Sequence, residues 1–199
     1  RENFTGSLPS DTGDWILREE QVGPSIGSEL KSQAFWAIIL SLLVLVIYIT
    51  IRFEFKFSVG AILALIHDVV ITIGLFSILG KEISLTIIAA LLTIVGYSLN
   101  DTIVVFDRIR EKLRAGAREG YLPTLNNSVN ETLSRTFITS FTTLLTVLSI
   151  FLFGGTVIHD FSFALLVGVI VGTYSSIFVA TPLLVEWYIA VTNKQKAKK

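Results

Sequence analysis

Five apolar stretches joined by short polar connections take up most of the chain and leave it few ways to fold. They run about 34–51, 57–79, 83–106, 136–153 and 161–189. A helix rises about 1.5 Å per residue, so roughly 20 residues cross a hydrocarbon core about 30 Å thick, and each stretch is long enough with some tilt. A soluble bundle would need a polar face on every helix, and the first and fourth stretches carry no charge at all. Composition agrees: 52% of residues are hydrophobic and 16% charged, and a mean hydropathy of +0.70 lies outside the range of ordinary soluble domains. The reading is an all-α polytopic membrane protein with five transmembrane helices.

The formal net charge is +0, but the charges are segregated. Arg52 and Lys56 follow the first stretch, with Glu54 between them. Arg108, Arg110, Lys112, Arg114 and Arg118 follow the third, and Lys194, Lys196, Lys198 and Lys199 end the chain. The alternate connections, around Lys81–Glu82 and ending in Asp160, are poor in basic residues, and the leading segment to Lys31 holds three basic and six acidic residues. Basic loops stay cytosolic, so the chain is expected to start outside and end in the cytosol. Residues 1–30 read as the end of an extracytoplasmic domain, 31–191 as the helix bundle and 192–199 as a basic cytosolic tail. Asp14–Val22, DWILREEQV, reads as a strand whose sheet lies elsewhere. With no Met and an opening RENFTGSLPS, the chain reads as an internal fragment of a longer polypeptide. It has no Cys and so no thiolate or disulfide chemistry.

Polar groups inside the apolar stretches are the candidate functional residues, because an isolated carboxylate in hydrocarbon costs several kcal/mol. Asp68 sits midway along the second stretch, next to His67. It either accepts hydrogen bonds in a structural role or takes part in ion passage. In the third stretch Thr86, Thr93 and Asn100 repeat every seven residues, and Asp101 adjoins that stripe. Asp101 precedes Asp107 by enough helix to lie about 7–9 Å inside the boundary. The fourth stretch enters from the same side with Thr132, Thr136, Thr139, Thr143 and Thr146 on one face and Arg135 beside its start. Antiparallel third and fourth helices put Asp101 and Arg135 at similar depth. A pairing that opens and closes would let Asp101 take up and release a proton; a static pair would only lock the two helices together. Ala164, Gly168 and Gly172, followed by Ser176, form a small-residue face for close helix approach, and Thr181-Pro182 is expected to kink the last helix.

The chain has no Gly-rich Lys-Ser/Thr phosphate loop, no HExxH and no serine elbow. The run Arg108–Arg118 reads as a juxtamembrane orientation signal, with no accompanying domain for nucleic acid.

Four blocks carry a family resemblance: VGPSIGSEL, LIHDVVITIG, GYSLNDTIVVFDRIRE and NETLSRTFITSFTTLL. Together they resemble the SecF branch of the SecD/SecF family, related to the resistance-nodulation-division transporters; the paralogous SecD branch has different motifs. The resemblance covers about Val22 to Pro182. It implies a six-helix domain of which helices 2–6 are present, the preceding segment being the end of an α+β extracytoplasmic domain. It further implies a non-enzymatic subunit of the bacterial inner membrane that works with SecD and the SecYEG channel, with YajC and YidC as further partners. Its substrates would be unfolded preproteins and its surroundings membrane lipids, with no nucleic acid and no cofactor, the proton motive force being the energy source. The family's interior Asp falls on Asp101 and its embedded Arg on Arg135, with Asn100 beside the first and Asp68 in the family's His-Asp pair. A proton-coupled small-molecule antiporter and a purely structural translocon partner are the alternatives.

Overall fold

The computed structural model describes residues 24–52, 55–116 and 120–196. Six helices follow in order: α1 Pro24–Arg52, α2 Phe55–Ile78, α3 Leu85–Arg114, α4 Tyr121–Phe153, α5 Thr156–Ser175 and α6 Thr181–Lys196, with a π-helical turn Ser176–Ala180 between the last two.

The expectation of five membrane-spanning helices is corrected to four. Among the described residues, Phe55–Ile78, Leu85–Arg114, Tyr121–Phe153 and the continuous Thr156–Lys194 are long and apolar enough to cross a bilayer. The apolar part of α1, Trp36–Ile51, is shorter and falls below the roughly 20 residues a span requires. The first turns of α1 are built from PSIGSELKSQ, which adds length but not apolarity. No β-strand occurs among the described residues; the strand expected at Asp14–Val22 lies outside them.

The helix ends follow local chemistry. Gly80 adopts φ 64°, which lets the Lys81 amide donate back to the Phe76 carbonyl at 3.0 Å and close α2. Ser84 caps α3, its Oγ accepting from the Ile87 amide at 3.4 Å.

Packing is layered along the helices. At one end Phe57, Leu65, Phe106, Ile109, Leu125 and Leu184 form an apolar core, with the Phe57 and Phe106 rings edge-on at 5.2 Å. At the other end Phe76, Ile87, Ala90 and Ala164 form a second core. Between them lies a buried polar layer that includes Asp68, Thr72, Ser98, Asp101, Thr102 and Ser175.

α5 runs against α2, α3 and α4, and its small-residue face makes that possible. A Cβ on Gly172 would stand 2.9 Å from Ser98 Cβ, and one on Gly168 would overlap Ile94. In place of the kink expected at Thr181-Pro182, the helix is continuous there, and a π turn, Ser176–Ala180, stands just before the proline. Proline cannot donate to the preceding turn and its ring crowds the carbonyl four residues back. The wider turn relieves this, and Thr181 Oγ1 reaches the Ser176 carbonyl at 3.4 Å.

Gly168→Leu is expected to destabilise the bundle by about 1–3 kcal/mol through overpacking, seen as a lower thermal midpoint of the purified protein in detergent. Gly74→Ala, where nothing lies within 4 Å of the new Cβ, should leave the midpoint unchanged or raise it.

Candidate functional site

Asp68 is 1% exposed and its carboxylate joins three helices. Ser98 of α3 donates to Oδ2 at 2.5 Å, and Ser175 at the end of α5 donates to the same oxygen at 2.8 Å. His67 Nδ1 lies 3.0 Å from Oδ1, so the adjacent ring does reach the carboxylate by folding across the helix surface. One turn later, Thr72 donates to the Asp68 carbonyl at 2.8 Å. The hydroxyls continue along α3, where Thr102 Oγ1 stands 3.1 Å from Ser176 Oγ, inside the π turn.

Asp101 lies one turn beyond Ser98 on α3 and is 3% exposed. Ser140 of α4 donates to its Oδ2 at 3.1 Å. The same Ser140 oxygen accepts from Tyr97 at 3.3 Å and stands 2.8 Å from Thr173 Oγ1 of α5. Asp101 is therefore tied to α4 and, through Ser140, to α5.

Arg135 is exposed. It is near enough for its charge to act on Asp101, but no ion pair between them within 4.0 Å occurs among the described residues. The two groups are neighbours in an open arrangement. Asn100 is exposed and is not drawn into either carboxylate cluster. Thr86 and Thr93 are exposed with it, so the seven-residue stripe faces away from the bundle, while Ser98, Asp101 and Thr102 face inward.

On α4 the buried hydroxyls repeat every four residues, at Ser128, Thr132, Thr136 and Ser140. The alternating Thr face read from the sequence runs off this line: Thr139 and Thr146 are exposed and turn back on their own helix, Thr139 onto Arg135 O at 3.0 Å and Thr146 onto Thr142 O at 3.0 Å. Sequence reasoning passed over Ser98, Ser140 and Ser175, the hydroxyl donors to the two carboxylates among the described residues. Their signal is spacing: Ser98 stands three residues before Asp101, and Ser140 four after Thr136.

A cleft of about 720 Å³ opens between the end of α3 and α4, with Thr132 and Arg135 on its α4 wall. One turn further along α4, Thr136 is buried and its hydroxyl has no partner among the described residues. Thr132, Thr136 and Ser140 thus mark a line of hydroxyls from the cleft to Asp101. No group of three or more His, Cys, Asp or Glu suited to a metal occurs among the described residues.

Residues 10–190 match the family described as protein export membrane protein SecD/SecF, C-terminal. The chain belongs to the SecD/SecF family. It is 55% identical over 186 residues to protein translocase subunit SecF of Desulfurispirillum indicum, covering 91% of this chain and 59% of that protein. It is 56% identical over 171 residues to the SecF subunit of Calditerrivibrio nitroreducens, covering 85% and 56%. The chain thus spans a little over half the length of these curated relatives. The crystal structure of SecDF from Thermus thermophilus, described as a translocon-associated membrane protein, superimposes with a TM-score of 0.81 at 50% identity, over 84% of this chain and 23% of that one. A SecDF structure in a super-membrane-facing form gives 0.81 at 44% identity, over 89% and 24%. The SecD/SecF fold of this multi-pass membrane protein is therefore shared with solved relatives.

Removing a donor from a buried carboxylate costs about 1–3 kcal/mol. Ser98→Ala and Ser175→Ala should each lower the thermal midpoint measurably, while Thr93→Ala on the exposed face should stay within about 0.5 kcal/mol of the parent.

Proposed function

We propose that the chain is the membrane part of a SecF-type subunit of the bacterial protein translocation machinery. It works with SecD at the SecYEG channel, with YajC and YidC as further partners, and uses the proton motive force to advance unfolded preproteins. No covalent chemistry is involved. Kinship with proteins named translocase subunit SecF supports the assignment, as does the likeness to a SecDF structure described as translocon-associated.

One observation carries the coupling mechanism: Asp101 is a buried carboxylate in a membrane-spanning helix, with a single hydroxyl donor and an arginine close by that is not closed onto it. When ionised, Asp101 attracts the Arg135 guanidinium and draws α4 towards α3. When protonated, it loses that attraction and keeps only neutral hydrogen bonding to Ser140. Proton exchange runs from the cleft along Thr132, Thr136 and Ser140. Because Ser140 also meets Thr173, a change at Asp101 moves α4 relative to α5, and the motion passes to the parts of the subunit outside the membrane. Asp68 holds α2, α3 and α5 together as the fixed side of this device. The basic ends of the spans, near Lys56, Arg108–Arg114 and Lys194, face the cytosol of a bacterial inner membrane.

Full-length protein carrying Asp101→Asn, assembled with its partners, is expected to export preprotein in membrane vesicles at the same rate with and without a proton gradient, while the complex still co-purifies. Gradient-stimulated export at the parental rate would refute the coupling. Loss of co-purification instead would mark Asp101 as a structural tie.

A further inference from the structure

The cleft between α3 and α4 contains more positive charge than the coupling mechanism uses. Four arginines line it: Arg108, Arg110 and Arg114 from α3 and Arg135 from α4, against the acids Asp107 and Glu111. The acids are engaged. Glu111 Oε2 holds Arg108 at 2.6 Å, and Glu131 on α4 holds both Arg108 and Lys112 at 2.6 Å. Asp107 and Arg110 also have interactions of their own. Arg114 and Arg135 make no ion pair or hydrogen bond through their side chains among the described residues, and both are exposed. Arg114 therefore faces the cleft with no anion held to it among the described residues, and Arg135 has only its open neighbour Asp101.

The cleft is also two-natured. Ile103 and Val104 give it an apolar wall, and Arg110 and Arg114 stand towards the end of α3. From Ile103 to Arg114 the helix advances about 16 Å, long enough to run from hydrocarbon across the interfacial zone of a bilayer. A free soluble anion would need the charges but not the apolar wall. A molecule with a phosphodiester at one end and hydrocarbon at the other fits both.

We propose that this cleft seats the headgroup of an anionic glycerophospholipid, its phosphodiester held by Arg114 with Arg135 below it and its acyl chain running down against Ile103 and Val104. Planar guanidinium forks suit phosphate oxygens. The site shares this cleft and Arg135 with the proposed coupling mechanism, but it rests on Arg114 and is read out by lipid retention, so its failure is distinguishable from a failure of gradient-driven export.

The test is native mass spectrometry of the full-length protein released from nanodiscs made of equal parts phosphatidylglycerol and phosphatidylcholine. The parent should retain phosphatidylglycerol preferentially. Arg114→Gln should reduce that preference by about five-fold, the effect of one basic group at a charged membrane surface. Arg114→Lys should restore part of it. Lys112→Gln makes the same charge change at a residue held by Glu131 outside the cleft lining, and should leave the preference intact. The proposal is overturned if both lipids are retained equally, if Lys112→Gln acts as strongly as Arg114→Gln, or if millimolar inorganic phosphate displaces the bound lipid, which would mark a site for free phosphate.

Discussion

Hydrocarbon offers a carboxylate neither water nor counter-ion, so every oxygen of Asp68 has to be met from within the bundle. That requirement organises the structure. Ser98 and Ser175 come from different helices to the same Oδ2, and they converge there because α3 and α5 pack on α2 and on each other. The close approach depends in turn on Gly168 and Gly172, where any side chain would collide with Ile94 or Ser98. Polar satisfaction and small-residue packing are one constraint seen from two sides. The apolar cores above and below the polar layer then confine both carboxylates to the middle of the molecule.

Much of this was legible in the sequence, for a physical reason: charge in an apolar run is conspicuous. Asp68, Asp101 and the Ala164–Gly168–Gly172 face stand out at once. What was not legible was orientation about each helix axis. Thr86, Thr93 and Asn100 share a face by simple periodicity, yet that face points outward. A threonine can satisfy itself on its own backbone four residues back, so its presence says little about where the bundle interior lies. Serines close to the acids say more, because their hydroxyls stay near the backbone and serve a carboxylate only where helices nearly touch.

The count of spans failed for a different reason. Apolarity and length have to coincide in the same stretch, and in α1 they do not: the helix is long, but its apolar part is short. The unpaired state of Arg135 was equally invisible. Sequence spacing places it at the depth of Asp101, but it cannot report whether a long, flexible side chain closes the last few ångströms.

The π turn at Ser176–Ala180 has a geometric consequence for the last span. One stripe of its buried residues follows a four-residue repeat, Ala164, Gly168, Gly172, Ser176, Ala180 and Leu184. On a straight α-helix of 3.6 residues per turn, each such step precesses by about 40°, and the stripe would end on the far side from where it began. The wide turn winds part of that precession back, so one continuous rod keeps α2 as a neighbour from α5 through the π turn to α6. It acts as a vernier, reconciling a period of four in the sequence with a helix that does not repeat at four.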